Sequence, residues 1–202
     1  MLYYYPNRPI LIPPDPDNPM DPSPTYINEL EASGRYIAEH KWNGDNTLIH
    51  LDTMTLYNRR HQVLKYQPSP EVMEELLRWK EIAGDAILNC ETVHTKTKTV
   101  KNLLIVHCVM AWQGSYLIGK TWGESRDILD ECIDLGLSGH HVQISKIWRR
   151  GFWDLFQNTD GVILEGIILK NPAGKMLFTT TQPTKDQSYM MKIRKPCNKY
   201  KF

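Results

Sequence analysis

Proline is concentrated at one end of this chain and is sparse elsewhere. Eight of the thirteen prolines lie within the first 24 residues. Because proline lacks a backbone N–H, the run from Pro13 to Pro24 is compatible with neither a helix nor a central strand. We therefore expect residues 1–34 to form a proline-rich extended N-terminal arm and residues 35–202 to form a single folded domain.

Charge and hydrophobicity exclude several functional classes. The chain has 24 Lys and Arg and 23 Asp and Glu, a formal net charge of +1, which is not typical of a polycation that coats nucleic acid or lipid. The longest apolar run, residues 103–112, is shorter than the ~20 residues that cross a bilayer. The first six residues lack the basic-then-apolar order of a secretory signal. We expect a cytoplasmic protein with no membrane partner.

The four cysteines are widely separated. Cys90, Cys108, Cys132 and Cys197 form no C-x-x-C pair and match no histidine spacing that is typical of zinc. We expect buried thiols in a reducing compartment rather than a disulfide framework or a metal centre.

The hydrophobic pattern predicts more strands than helices. Ser69 and Pro70 are typical of a helix start, and the helix should end at Gly84. A second helix is predicted at 125–135, with Ile128, Leu129, Cys132 and Ile133 on one face. Asn43–Gly44 is a turn signal. Predicted strands cover 35–39, 47–51, 86–93, 103–112, 161–170 and 188–194. Strands and helices do not alternate regularly as they do in βαβ units, so this pattern favours an α+β fold with mostly antiparallel sheets flanked by helices.

Five short motifs occur in a defined order along the chain. Taken singly, each is compatible with an ordinary turn or a charged strand edge. They are Glu39-x-Lys41-x-Asn-Gly44-x-Asn46, Asn58-Arg59-Arg60, Asn89-Cys-Glu91, Glu165-Gly-Ile-Ile-Leu-Lys170 and Lys192-x-Arg194. In this order they resemble the motif series of the covalent nucleotidyltransferases, the superfamily of ATP-dependent DNA ligases, RNA ligases and mRNA capping enzymes. The resemblance covers residues 35–195 and implies the catalytic-domain fold of that superfamily.

The resemblance implies a covalent mechanism that begins on Lys41. This lysine matches the nucleophile that attacks the α-phosphorus of ATP and forms lysyl-AMP. A free lysine has a pKa of ~10.4 and is protonated at neutral pH, so neighbouring cations must favour its neutral form. Lys170, Lys192 and Arg194 are the candidates, and they would also bind the triphosphate. Lys192 and Arg194 are two residues apart on a predicted strand, so they should share a face.

Two glutamates match positions that the superfamily uses near the nucleotide. Glu91 matches the residue that contacts the sugar, and Glu165 matches one linked to the catalytic Mg²⁺, for which Mn²⁺ is an alternative. We list both carboxylates as metal-site candidates. Because Glu165 and Lys170 are an odd number of residues apart, a regular strand would direct them to opposite faces. We therefore predict a bulge at Gly166 that re-aims one of them.

The remaining candidates concern the base and the bound strand. Glu39 matches a position associated with adenine, which favours ATP over GTP, and Asn46 belongs to the same nucleotide-binding motif. His107 is the candidate to stack on the base, although a histidine on an apolar strand is often a core residue. Arg59 matches an arginine that contacts phosphate of the bound strand, and Arg60 is a candidate for the same role.

The departures from the motif pattern bear on which polymer is bound. Asn43 and Asn46 replace the aspartate and arginine of most DNA ligases and capping enzymes, and the final asparagine is closer to certain phage and kinetoplastid RNA ligases. Leu56–His61 instead resembles the DNA ligase form of its motif. We expect an ATP-dependent polynucleotide ligase that seals 5′-phosphate and 3′-hydroxyl ends, with RNA slightly favoured over DNA. The alternatives are a DNA ligase proper, a GTP-dependent capping-type guanylyltransferase and a non-catalytic nucleic-acid-binding relic.

The short sequence after the last motif affects the expected architecture. Eight residues follow Arg194, so we expect no OB-fold domain of the kind that DNA ligases and capping enzymes carry. We expect a monomer that either acts as a minimal catalytic domain or uses a partner as its clamp. Such compactness suggests a viral or phage origin.

Overall fold

A computed structural model describes residues 1–12, 22–177, 179–180 and 186–195 of the chain. Most of the Pro13–Pro24 run, Cys197 and the basic residues after Lys195 lie outside the described residues. The elements are β1 (Arg8–Leu11), α1 (Pro24–Ala32), β2 (Ile37–Trp42), β3 (Asp45–His50), β4 (Thr55–Asn58), α2 (Pro70–Ala83), β5 (Ile87–Val93), β6 (Leu103–Trp112), β7 (Ser115–Tyr116), α3 (Trp122–Asp134), β8 (Val142–Ile144), α4 (Phe152–Gln157), β9 (Leu164–Lys170) and β10 (Asp186–Arg194).

Residue contacts divide the described chain into two compact units. The larger unit contains residues 1–7, 44–145 and 173–180, and the smaller unit contains residues 8–12, 22–43, 146–172 and 186–195. Each unit is therefore assembled from segments that are interrupted in sequence by segments of the other.

The larger unit is a sheet covered by two helices. The strand order is β4-β3-β5-β6-β7, and β8 pairs with β6 in parallel. One face of this sheet carries Leu88, Val106 and Val109, which are fully buried and form one core with Trp79 of α2 and Leu129 of α3. Burial of this apolar face is the main force that stabilises the unit.

The smaller unit is a four-stranded sheet with two short helices. Its order is β1-β10-β9-β2, with β1 parallel to β10 and the other two pairings antiparallel. Ala38, Ile167 and Ile193 point from its strands into a core that includes residues of α1 and α4. The Glu31 carboxylate accepts hydrogen bonds from the backbone N–H groups that begin α4, at 2.8 and 2.9 Å.

These observations confirm the α+β class and the mostly antiparallel sheets. The turn at Asn43–Gly44, however, does not close a hairpin, because β2 and β3 belong to different sheets. Helix α3 begins three residues before the predicted start, because Thr121 and Glu124 form a capping box. Of the residues predicted on one face of this helix, Leu129 and Cys132 are buried, whereas Ile133 is 42% exposed.

The predicted arm contains regular structure. Helix α1 forms although Pro24 is its first residue, because a proline N–H would have no partner in the first turn. The Ser23 hydroxyl caps the helix by accepting a hydrogen bond from Tyr26 N at 3.3 Å. The stretch is therefore not extended throughout, while the domain boundary at residue 34 stays a prediction.

Two further observations concern the cysteines and the helices. The three cysteines within the described residues are free and buried, as predicted. Burial raises the pKa of the Cys132 thiol to about 12, which is typical of an unreactive core cysteine. In the described part of the chain, no helix is long and apolar enough to cross a membrane.

Candidate functional site

The register of the smaller sheet sets charged residues in rows on one face. Lys41 pairs with Gly166, which pairs with Arg194 on the next strand. Glu39 and Lys192 likewise flank Ile168. Because directly opposed residues of antiparallel strands share a face, these side chains lie on the face opposite the apolar core. This confirms that Lys192 and Arg194 share a face.

A β-bulge brings Glu165 to that face. Lys41 pairs with Gly166 but the next residue, Trp42, pairs with Leu164, so Glu165 has no partner across the strand pair. The Glu165 side chain contacts Lys41 instead of entering the core. The bulge predicted from the odd spacing is thus confirmed, and it explains how Glu165 and Lys170 both leave the apolar side.

Gly166 permits the close approach of strands at this bulge. A Cβ atom at this position would collide with the carbonyl oxygen of Ile193 and would lie 3.0 Å from Cα of Arg194. Its φ of 154° is also one that L side chains rarely adopt. Any other residue here would push β10 away from β9 and displace Arg194.

Lys41, Glu165 and Arg194 form a compact group of charges. Nζ of Lys41 lies 2.6 Å from Oε2 of Glu165, and Nε of Arg194 lies 3.4 Å from the same oxygen. The Lys41 and Glu165 side chains are each 14% exposed, whereas that of Arg194 is 40% exposed. This buried Glu165 oxygen accepts no hydrogen bond of good geometry from the described residues, so it keeps capacity for a further partner.

A second ion pair lies deeper on the same face. Nζ of Lys170 donates to Oε1 of Glu39 at 2.8 Å, and the two side chains are only 4% and 3% exposed. The resemblance suggested that Lys170 faces the triphosphate, but its ammonium is held against Glu39. The predicted contact of Lys170 with the triphosphate stays a prediction.

The larger unit holds the other nucleotide-site candidates. Asn46 of β3 and Glu91 of β5 are directly opposed across their strands. Nδ2 of Asn46 donates to Oδ1 of Asn89 at 2.8 Å, while its own Oδ1 is buried and has no partner among the described residues. Asn89 was part of a quoted motif but was not predicted as a site residue; its position two residues before Glu91 was the signal.

The turn after Lys41 is held by the predicted Glu91 and by Lys96, which the sequence did not indicate. Oε1 of Glu91 accepts a hydrogen bond from Gly44 N at 3.0 Å, and Lys96 donates to the carbonyl oxygen of Gly44. A Cβ on Gly44 would lie 2.8 Å from Cγ of Glu91, so only glycine fits. Lys96 lies in a loop with no motif of its own, and nothing in the sequence pattern singles it out.

Asp45 continues this network. Nζ of Lys96 lies 3.0 Å from one Asp45 oxygen, and the Thr95 hydroxyl donates to the other at 2.6 Å. Burial alone would raise the pKa of Asp45, but these contacts and the nearby Arg59 charge outweigh it and lower the pKa. The Asp45 carboxylate is therefore stabilised in its charged form.

Three remaining candidates lie elsewhere in the larger unit. Arg59 and Arg60 are exposed in the turn after β4, where Oδ1 of Asn58 accepts a hydrogen bond from Arg60 N at 2.8 Å. His107 is half-buried in β6. It lies at a bulge, since Asn89 pairs with Cys108 and Cys90 pairs with Val106, which leaves His107 without an opposed residue on β5. These positions are compatible with the predicted roles but do not test them.

Few carboxylates are available near Lys41 to hold Mg²⁺. Among the described residues, no three His, Cys, Asp or Glu side chains lie close enough to hold a metal ion by themselves. Mg²⁺ is often held by one or two carboxylates together with phosphate and water oxygens, and the incompletely satisfied Glu165 oxygen fits that type of site. Glu91 was also predicted as a ligand, and one of its oxygens accepts the hydrogen bond from Gly44.

Comparison with known proteins identifies the fold. No protein-family model matches the sequence, and no curated protein matches it significantly. Solved structures do match. The ligase domain of M. tuberculosis LigD superposes with a TM-score of 0.56 at 14% identity, over 79% of this chain and 53% of that one. A Lig E DNA ligase superposes with a TM-score of 0.55 at 9% identity, over 80% of this chain and 62% of that one. The ATP-dependent DNA ligase of bacteriophage T7, in complex with ATP, superposes with a TM-score of 0.53 at 14% identity, over 94% of this chain and 68% of that one.

These likenesses show the fold, and it agrees with the fold that the motif order implied. More particularly, the chain has the catalytic-domain fold of ATP-dependent DNA ligases. It spans about half the length of the LigD ligase domain that it matches.

Proposed function

We propose that this chain is the nucleotidyltransferase of an ATP-dependent polynucleotide ligase and that Lys41 carries the AMP. The observation that carries the proposal is the group formed by Lys41, Glu165 and Arg194 on the polar face of the smaller sheet. A mostly buried lysine whose carboxylate partner is shared with a second cation is more typical of a functional site than of a surface charge. The fold, shared with ligases of which one was solved with ATP, supports the same assignment.

In the first step, the neutral amine of Lys41 attacks the α-phosphorus of ATP. An N–P bond forms, the P–O bond to pyrophosphate breaks, and one proton leaves Nζ. Oε2 of Glu165, 2.6 Å from Nζ, fixes the position of the Lys41 side chain, and the proton is released to solvent. The exposed fraction of 14% at Lys41 limits the water that could hydrolyse the adenylate.

The cations on this face stabilise the charge that develops on phosphate. Arg194 presents a forked donor that suits phosphate oxygens, and Lys192 shares its face. Lys170 acts in this proposal through Glu39, which it holds in place for contact with adenine. When bound, Mg²⁺ would neutralise phosphate charge, and Glu165 is the carboxylate placed to hold it.

For the larger unit we propose the roles that the resemblance implies. Glu91 contacts the ribose, Asn46 contributes its unpartnered oxygen to nucleotide binding, and His107 stacks on the base. Arg59 and Arg60, both exposed, contact phosphates of the bound strand.

In the later steps, AMP passes from Lys41 to a 5′-phosphate, and a 3′-hydroxyl then displaces AMP to join the strands. The partner is a nicked or broken nucleic acid. Asn43 and Asn46 favour RNA and Leu56–His61 favours DNA, so we propose a polynucleotide ligase with a slight preference for RNA.

Label transfer tests the proposal. The protein is incubated with Mg²⁺ and α-labelled ATP or GTP, and label on the denatured protein is measured. A lysyl-AMP should resist alkali and be released by acid, as its N–P bond requires. Lys41→Ala and Lys41→Arg should abolish the label, whereas Lys120→Ala, which changes a lysine that is 58% exposed, should retain it.

The alternative outcomes distinguish the competing functions. Label from GTP alone would indicate a capping-type guanylyltransferase, and no label from either nucleotide would indicate a non-catalytic relic. If Lys41→Arg kept its label, another residue would be the nucleophile. Nicked duplexes with RNA, DNA or hybrid strands then establish the preferred polymer.

A further inference from the structure

A cluster of aromatic rings lies along the outer edge of β2 in the smaller unit. The ring centroids of His40 and Trp148 are 4.6 Å apart, and those of His40 and Trp42 are 6.3 Å apart. All three side chains are only partly buried. Two backbone hydrogen bonds, of 2.8 and 2.9 Å, join Ala38 and Trp148 and fix the Trp148 segment against this edge. The rings therefore sit on a rigid backbone.

This cluster is distinct from the charged face described above. Glu39 and Lys41 point to the polar face of the sheet, so His40 and Trp42, which alternate with them, point the other way. Ala38 on that second side belongs to the core. Towards the end of the strand, the core gives way to the partly exposed rings of His40 and Trp42.

Basic residues flank Trp148 in the sequence. Lys146, Arg149 and Arg150 are exposed, and the sequence contains no acidic residue between Asp134 and Asp154. The carboxylate of Glu31 is nearby in this unit, but both of its oxygens accept hydrogen bonds from the start of α4. The segment that carries Trp148 is thus a local cationic site on a chain whose formal net charge is only +1.

The ring of Trp148 is partly exposed and is in contact with a mobile cation. Nζ of Lys146 lies 5.2 Å from its centroid, and this lysine is exposed on a flexible stem. A stacked base binds an aromatic ring more strongly than an exposed ammonium does, so a base could take the place of Lys146 and leave it free to pair with phosphate. Burial, and then the charge of Lys146, lower the pKa of His40, so its ring is neutral at neutral pH.

We propose that this aromatic–basic surface binds single-stranded nucleic acid. Unpaired bases stack on the rings and the phosphates pair with the cations. The surface consists of His40, Trp42, Lys146, Trp148, Arg149 and Arg150. A continuous duplex hides its base faces, so the ligand is an unpaired end or overhang rather than duplex. The inference rests on the proposed function only for the choice of nucleic acid as the partner.

The test measures binding of the full chain to a labelled single-stranded RNA of about 12 nucleotides, a length within the range that stacking surfaces cover. Anisotropy is recorded over a salt series, without ATP or Mg²⁺, and compared with a blunt duplex of the same sequence. The variants are Trp148→Ala, which removes a ring, and Arg149→Ala with Arg150→Ala, which removes two exposed charges without touching the core. The control, Lys65→Ala with Arg78→Ala, removes two exposed charges from the larger unit.

Trp148→Ala should weaken single-strand binding about 5- to 100-fold, in line with the loss of one stacked base. The double arginine variant should lower the slope of log affinity against log salt by about 1.4, which is 0.7 for each lost phosphate contact. The control should bind as the wild type does, and the blunt duplex should bind more weakly than the single strand.

Two results would overturn the inference. One is equal affinity and equal salt slope for the double arginine variant and its control. The other is binding of the wild type to vesicles of phosphatidylcholine and phosphatidylserine but not to RNA, which would make the surface a lipid-binding one. Failure of label transfer to wild-type Lys41 would instead refute the proposed function, because strand binding is measured without nucleotide.

Discussion

The Glu39–Lys170 pair offers a quantitative test of how the polar face is built. Both side chains are almost fully buried, at 3% and 4% exposure, and their charged atoms are 2.8 Å apart. Replacing one member removes this ion-pair partner from a charge that stays almost fully buried. Replacing both with apolar side chains of similar length removes the desolvation cost together with the attraction.

The expected magnitudes separate these cases. Glu39→Met or Lys170→Met alone should lower the free energy of unfolding by about 3–5 kcal/mol. At about 2–4 °C per kcal/mol for a chain of this size, the midpoint should fall by roughly 6–20 °C. The double variant should lie within about 1 kcal/mol of the wild type, so the coupling energy of the pair would be several kcal/mol.

Urea unfolding, followed in parallel by tryptophan fluorescence and far-ultraviolet circular dichroism, measures these values and tests whether the transition is two-state. The exposed pair of Lys120 and Glu124, 3.0 Å apart, provides the control, because Lys120→Met should change stability little. The buried pair would not be coupled as argued if either single variant had the same free energy of unfolding as this control. The same conclusion would follow if the double variant lost as much unfolding free energy as the two single variants combined.

Three further perturbations address other features. Gly166→Ala should destabilise the protein and abolish label transfer, because its Cβ would collide with the Ile193 carbonyl. The control is Gly34→Ala, at a position that also has a positive φ but has open space around it. Equal melting temperatures for the two variants would contradict the steric argument. His50 is buried and its pKa falls to about 4, so the unfolded state binds a proton before the native state does. Stability should therefore decrease as pH falls from 6.5 to about 4, by up to about 3 kcal/mol, and His50→Gln should flatten this pH dependence of unfolding. Thr121→Ala removes the capping box and should lower the free energy of unfolding, measured by urea titration, by about 1 kcal/mol. An unchanged free energy of unfolding would show that the cap is not formed in solution.

The strands that the sequence predicted are those with long apolar or alternating runs. β5, β6 and β9 bury most of their side chains, and so their hydrophobic patterns are strong. Strands β4 and β8, with four and three residues, are too short for any period to be visible, and pairing with neighbours determines them. Helix α1 was missed because the surrounding prolines dominated the composition, although Ser23 and Pro24 gave the same start signal as Ser69 and Pro70.

The candidate site could be predicted where spacing along one strand determines geometry. The shared face of Lys192 and Arg194 follows from two-residue alternation, and the bulge at Gly166 follows from the odd spacing of Glu165 and Lys170. The partner of Lys170 could not be predicted, because Glu39 lies 131 residues away and only the register of β2 against β9 brings them together. The roles of these residues remain proposals.

The alternation of segments between the two units has a genetic consequence. The chain passes from one unit to the other five times, at Asn7–Arg8, Asn43–Gly44, Ser145–Lys146 and Pro172–Ala173 and again before Asp186. Neither unit therefore corresponds to a continuous stretch of gene. Neither could be transferred to another protein by a single recombination event, nor lost by a single truncation without breaking the other. The two units can therefore be inherited only together, which constrains how a chain of this size can diversify.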